Sequence, residues 1–209
     1  MLNIPRTVAV ICPTGEDAAP LHDALHAASG VAAAHVAFLT AGNGPLPAGC
    51  DGLFLAGGRG FSRADAVPQP LLAAISRDIP ILGIGWGMHA INVAFGGMPP
   101  EASPGHGPSP DGGALKNPVF LSPGGKVSFT IGGSGWVNVP CAHAHGIRDA
   151  GRAPEMLATA YAQDGVVEAI ERPGRHWVIG VQWRAHAPRE IPRGFDNVLL
   201  AFLERAAGI

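Results

Sequence analysis

The constraint that bears hardest on this chain is an alternation. Through the first half, short apolar runs bounded by turn residues take turns with stretches of helical period. Val8–Cys12 (VAVIC), Val36–Leu39 (VAFL), Gly52–Leu55 (GLFL) and Ile81–Ile84 (ILGI) are apolar at nearly every position. A strand buried on one face would alternate apolar with polar, so these runs suit parallel strands covered on both faces. The intervening stretches supply the cover. Pro20–Ala28 places Leu21, Ala24, Leu25 and Ala28 at helical spacing, with Pro20 near its start and Gly30 past its end. Pro70–Ile75 and Met88–Phe95 repeat the pattern, the latter closed by Gly96-Gly97. Strands and helices in alternation imply an open parallel sheet with helices on both faces.

The second half reads mainly as strands. Val119–Leu121, Val127–Ile131 and Trp136–Val139 are short runs separated by Gly or Pro. Met156–Tyr161 and Val166–Glu171 flank Asp164-Gly165, a hairpin signal, and Trp177–Trp183 follows the Pro173-Gly174 turn. A closing helix is expected, with Asp196 as N-cap and Val198, Leu199, Phe202 and Leu203 on its apolar face. Met98–Pro118 (MPPEASPGHGPSPDGGALKNP) has no period and is dense in Pro, Gly and Ser, so it is expected as a flexible loop.

Composition bounds the rest. With 47% hydrophobic and 14% charged residues, 209 residues can bury a large core, and one domain over 1–209 is expected. A net charge of −2 argues against nucleic acid or anionic membrane as an obligate partner. No apolar run approaches the roughly 18–20 residues of a membrane-spanning helix. The N-terminus lacks the order of a signal peptide, and three cysteines are too few for a disulfide scaffold, so a cytoplasmic protein with reduced thiols is expected.

Three segments together resemble the class I glutamine amidotransferases, and especially their peptidase C26 branch, the gamma-glutamyl-gamma-aminobutyrate hydrolase-like proteins. Asp51–Gly60 (DGLFLAGGRG) is similar to the family's DGLxLPGG strand and turn. Pro80–Gly97 (PILGIGWGMHAINVAFGG) is similar to its elbow, PILGICRGMQxxNVxxGG. Asp164–Trp183 (DGVVEAIERPGRHWVIGVQW) is close to DGxxEAIE…xxGVQWHPE. The resemblance implies an α/β flavodoxin-like three-layer sandwich with a central, mostly parallel sheet. It also implies a cysteine at the elbow, activated by a helix N-terminus, with a later histidine as base and a glutamate two residues on as its orienter.

All three roles are changed here. Gly85 stands at the cysteine position, Arg184 at the histidine position and His186 at the glutamate position. Glycine has no side chain to attack with, and arginine stays protonated, so the usual thiol mechanism has no surviving part. His89 replaces the elbow glutamine. The backbone features implied by the resemblance remain, and Gly57, Gly58, Arg59, Trp86 and Arg184 are expected to line a cleft that binds a small anionic or amino-acid-like ligand.

Cys141-Ala142-His143-Ala144-His145 carries three metal-ligand types in five residues. In extended backbone, positions i, i+2 and i+4 share one face. Cys141, His143 and His145, joined by His186, are therefore candidate ligands for zinc or another transition metal. A solvated loop is the other reading of the segment, and Cys141 as a relocated nucleophile a third. His22 and His26 are read as a solvated pair, Cys12 as structural, and His35, His106 and His176 carry no argument. Two functions stay open: a degenerate family member, a pseudoenzyme binding a small ligand or a protein partner, and a metal-dependent hydrolase using the Cys/His cluster.

Overall fold

The computed structural model describes residues 6–29, 36–40, 44–57, 61–62, 65–107 and 115–209. Strands β1 (Arg6–Ile11), β2 (Val36–Thr40), β3 (Cys50–Gly57) and β4 (Ile81–Gly85) alternate with helices α1 (Ala19–Ser29), α2 (Gln69–Ser76) and α3 (Trp86–Ala94). Then come β5 (Glu101–Ala102), β6 (Leu115–Leu121), α4 (Lys126–Ile131), β7 (Gly135–Cys141) and β8 (His145–Arg148). The chain ends with β9 (Leu157–Ala162), β10 (Val166–Glu171), β11 (Val178–Val181) and α5 (Asn197–Ala207). The main sheet runs β2-β1-β3-β4-β11-β10-β9-β6-β7. Its first five strands are mutually parallel, and from β11 to β7 the pairs are antiparallel.

The strand β1 shows why consecutive apolar positions were required. Val8 and Val10 join one core cluster, with Leu21 and Leu25 of α1 and Phe202 of α5. Ala9 and Ile11 join the other, with Leu71 of α2 and Met88 of α3. Two apolar layers on the two faces of one sheet make the three-layer α/β arrangement, and the sandwich is flavodoxin-like. No helix among the described residues is long and apolar enough to cross a membrane.

Two expectations are corrected, and a third holds in position only. Val127–Ile131 lies in a helix, α4, although its apolar residues alternate. Two backbone donors at its start, Lys126 N and Val127 N, bond the Glu171 carboxylate at 2.9 and 3.1 Å, and Gly132 closes it in the left-handed region. Those caps outweigh the strand-like period and leave Phe129 exposed. Asp196 stands at the N-cap position of α5 as expected, but its backbone is helical and its side chain makes no capping bond; tight turns through Phe195 and Asn197 lead into the helix. Finally, Met98–Pro118 is not one loop. Residues 98–107 are pinned by Met98 N to Gly151 O, by Ser103 N to Ala144 O and by the β5–β8 pair, and β6 begins at Leu115. Residues 108–114 of that stretch lie outside the described residues. Asn92, fully buried, holds the near end: its amide donates to Met98 O and Gly151 O and accepts from Ala153 N.

Candidate functional site

The parallel register brings three strand ends together. Gly57 at the end of β3 pairs with Gly85 at the end of β4, and Val181 of β11 pairs with Ile84. Everything that follows those ends, namely Trp86, Gln182 and Arg184, converges on one sheet edge, where ligands bind in open α/β sheets.

Gly85 turns the chain from β4 into α3 with φ 54° and ψ −107°, a backbone that side chains rarely adopt. Glycines also set how closely α3 lies on the sheet. A Cβ on Gly87 would meet Leu55 O at 2.1 Å, and one on Gly83 the Gly87 carbonyl carbon at 2.5 Å. A Cβ on Gly85 would meet only Gly57 O, at 3.3 Å. The strand–turn–helix elbow is thus strained at Gly85, where a side chain would find room beside Gly57 but an unfavourable φ.

A cleft of about 590 Å³ opens over the elbow. Gly57, Gly85, Trp86, Arg184 and His186, expected together from the sequence, all line it, as do His143 and His145. Gly58 and Arg59 lie outside the described residues. Arg184 reaches Glu190, 2.9 Å from Nη1 to Oε2, with both side chains about half exposed. Glu16 and Asp17 also line the cleft.

The cleft walls carry unsatisfied polar atoms. Among the described residues, six buried side-chain N or O atoms have no hydrogen-bond partner, and five of them belong to lining residues: Trp86 Nε1, His89 Nδ1 and Nε2, Gln182 Oε1 and His186 Nδ1. Burial, aided by the nearby His143 and His145, lowers His89 to about 3. Burial, aided by Arg184, lowers His186 to about 4. Both imidazoles are neutral at neutral pH, each with one donor and one acceptor nitrogen.

Beside this cleft, and sharing His143 with it, a second group of side chains converges. His106 Nδ1, Cys141 Sγ, His143 Nε2 and Glu168 Oε1 lie at mutual contact distance. His106 Nδ1 is 3.3 Å from each of the other three, and Cys141 Sγ is 3.2 Å from His143 Nε2. Glu168 Oε1 is 3.3 Å from His143 Nε2 and 3.9 Å from Cys141 Sγ. The group is buried except for part of His143. Burial, reinforced by the Glu168 carboxylate, pushes the Cys141 thiol far up. Burial opposes ionisation of Glu168, but hydrogen bonds from His106 and His143 outweigh it and hold the carboxyl below its usual value. The bond to Glu168 raises His106 in return, against its own burial.

The expected ligand set is therefore only half assembled as written. Cys141 and His143 meet, whereas His145 and His186 do not join them. Sharing one face required extended backbone through residue 145, but β7 ends at Cys141 and β8 begins at His145. The intervening turn leaves His145 exposed, contributing its backbone carbonyl to His143 Nδ1 at 3.0 Å. His106 and Glu168 take the remaining places. Glu168 left a signal in the sequence: it is the carboxylate inside VVEAIE, a strand buried at every position. His106 left none, since its loop has no period and its position depends on long-range contacts.

Comparison with known proteins follows this geometry. Residues 57–186 match the family model described as Peptidase C26. Over 118 residues the chain is 36% identical to "Putative glutamine amidotransferase Rv2859c" of Mycobacterium tuberculosis, which covers 54% of this chain and 37% of that protein. Over 120 residues it is 35% identical to "Putative glutamine amidotransferase PB2B2.05" of Schizosaccharomyces pombe, covering 54% of this chain and 46% of that one. The matched region thus spans less than half the length of either relative. Two solved structures share the fold. The glutaminase domain of Trypanosoma brucei CTPS with bound acivicin superposes with a TM-score of 0.72 at 14% identity, over 97% of this chain and 94% of that one. A "putative gmp synthase subunit a protein" of Thermoplasma acidophilum does so with a TM-score of 0.69 at 17% identity, over 98% and 95%.

Proposed function

The chain belongs to the peptidase C26 family of glutamine amidotransferase-like proteins, and from that premise we propose that it binds a small amino-acid-like molecule in the family's cleft without cleaving it through a thiol. The observation that carries this reading is the set of five unpartnered polar atoms buried within residues that line the cleft. Buried polar groups are nearly always satisfied, and each orphan costs about 1–3 kcal/mol, so a ligand that pairs with them is strongly favoured there. Their chemistry mixes donors and acceptors: the Trp86 indole N–H, the Gln182 carbonyl and two neutral imidazoles. A molecule bearing an amide, or an ammonium and a carboxylate, matches that mixture. Arg184 and the N-terminus of α3 suit the carboxylate, and Glu16 and Asp17 suit the ammonium.

Thiol cleavage has no apparatus at the elbow. Gly85 offers no nucleophile, and Arg184 is no base near neutral pH. Cys141 is held protonated at the bottom of a neighbouring cluster, which disfavours it as a relocated nucleophile. Hydrolysis by a metal-bound water needs a coordination position open to the cleft. The four donors of His106, Cys141, His143 and Glu168 close on one another instead, so the geometry favours binding over hydrolysis.

Isothermal titration with glutamine, glutamate and a gamma-glutamyl dipeptide tests the proposal. A saturable heat is expected with at least one of them, weakened in Trp86→Phe, which keeps the ring and removes the N–H donor. No heat from any of the three, with protein shown to be folded, would overturn it.

A further inference from the structure

The four donor atoms next to the cleft form a closed figure with six edges, five of 3.2–3.3 Å and one of 3.9 Å. A regular tetrahedron with such edges has its centre about 2.0–2.4 Å from each corner, the range of zinc bonds to nitrogen, oxygen and sulfur. The longest edge joins Cys141 Sγ to Glu168 Oε1, and the other two edges at sulfur are 3.3 and 3.2 Å.

The far side of each imidazole is already engaged. His106 Nε2 lies 3.3 Å from both carboxylate oxygens of Asp164, and His143 Nδ1 lies 3.0 Å from His145 O. A carboxylate and a carbonyl only accept, so these contacts place the ring protons on the outer nitrogens. Without an ion the inner nitrogens, 3.3 Å apart, donate to Glu168. With the outer nitrogens engaged, they can release those protons and turn their lone pairs to one shared cation. Outer contacts of this kind are what orient histidine ligands in metal sites. Charge balances as well: a Cys141 thiolate and the Glu168 carboxylate cancel a divalent ion, leaving no net charge in a buried place. On binding, Cys141 exchanges its S–H proton for an S–metal bond, and the proton leaves to water.

We infer that His106, Cys141, His143 and Glu168 bind one tetrahedral divalent transition ion, zinc by their donor types, as a closed structural site beside the cleft. Such an ion fastens three separate pieces of chain. His106 comes from the irregular stretch before β6, Cys141 and His143 from the end of β7 and the turn after it, and Glu168 from β10. Ala142, His143, Ala144 and His145 line the cleft, so the ion sets the position of one cleft wall. Asp164 supports it from the β9–β10 hairpin, where its carboxylate also accepts from Val166 N at 3.2 Å.

The test uses untagged full-length protein purified without chelator. Native mass spectrometry is expected to show one bound zinc per chain. Cobalt(II) exchanged into the site is expected to give intense tetrahedral ligand-field bands and a thiolate charge-transfer band. Cys141→Ser removes the charge-transfer band. Asp164→Asn, a change at a half-exposed side chain that spares the fold, weakens cobalt affinity about 10–100-fold. His145→Ala and His186→Ala leave the spectrum unchanged. A chain that takes up neither zinc nor cobalt would overturn the inference. So would weak octahedral bands without thiolate charge transfer, or a spectrum lost in His145→Ala or His186→Ala.

Discussion

Around the cleft, lining residues carry polar atoms that are buried and unpartnered: both nitrogens of His89, the Gln182 carbonyl and the Trp86 indole N–H. Around Glu168, polar atoms face one another, crowded to 3.2–3.9 Å, with their outer nitrogens already engaged. His143 belongs to both groups. The difference separates two kinds of incompleteness. Scattered orphans of mixed donor and acceptor character call for an extended molecule, whereas metal-ligating atoms converging on one point call for an ion. The two regions also depend on different parts of the sequence. The cleft is set by glycines and by the ends of β3, β4 and β11. The cluster is set by side chains drawn from three distant segments.

The largest expected effect lies in the cluster. Glu168→Ala removes the buried acceptor that holds His106 and His143, and metal-free protein should lose about 3–5 kcal/mol in urea unfolding. A loss below about 1 kcal/mol would mean the donors are not held together by that carboxylate.

Next comes the pH response of the cleft. The folded-state value of His89 is depressed from 6.5 to about 3, so its neutral form contributes stability that is fully present above pH 6.5. That contribution falls as pH drops toward about 3, by up to ~1.4 kcal/mol per pH unit. His89→Gln should flatten this acid limb in thermal melts, while His186, depressed to about 4, leaves a residual slope. An unchanged slope in the variant would place the acid sensitivity in the cluster instead.

At the elbow, Gly85→Cys should cost about 1–2 kcal/mol for its positive φ, because the added Cβ meets only Gly57 O. Its thiol should react with iodoacetamide faster than Cys50 or Cys141, both buried. Equal rates would show that the elbow does not expose its residue to the cleft. The smallest effect is expected at the rim. Arg184→Ala breaks a half-exposed ion pair with Glu190 and should change stability by less than about 0.5 kcal/mol, while weakening any carboxylate ligand in titration.

Much of the cleft was legible in the sequence, because it is made of local patterns. Apolar runs fix which strands are buried on both faces, and the elbow segment around Gly85 is a local pattern of strand, turn and helix. The Val127–Ile131 segment was misread as strand because its helix depends on Glu171, whose carboxylate arrives from β10. The cluster was half legible for a related reason. Cys141 and His143 are near in sequence, but the turn that removes His145 and the long-range pairing that delivers His106 and Glu168 are tertiary events. No spacing rule reports them.

Binding in the cleft without thiol cleavage can be tested in one experiment. Glutamine and a gamma-glutamyl dipeptide, at concentrations where binding is seen by titration, are incubated with the protein while released ammonia and free glutamate are followed by NMR. The account predicts bound but intact compounds, with no release above the protein-free control. Release that is abolished by iodoacetamide or by Cys141→Ser would contradict it, placing a working thiol in a protein whose elbow carries none.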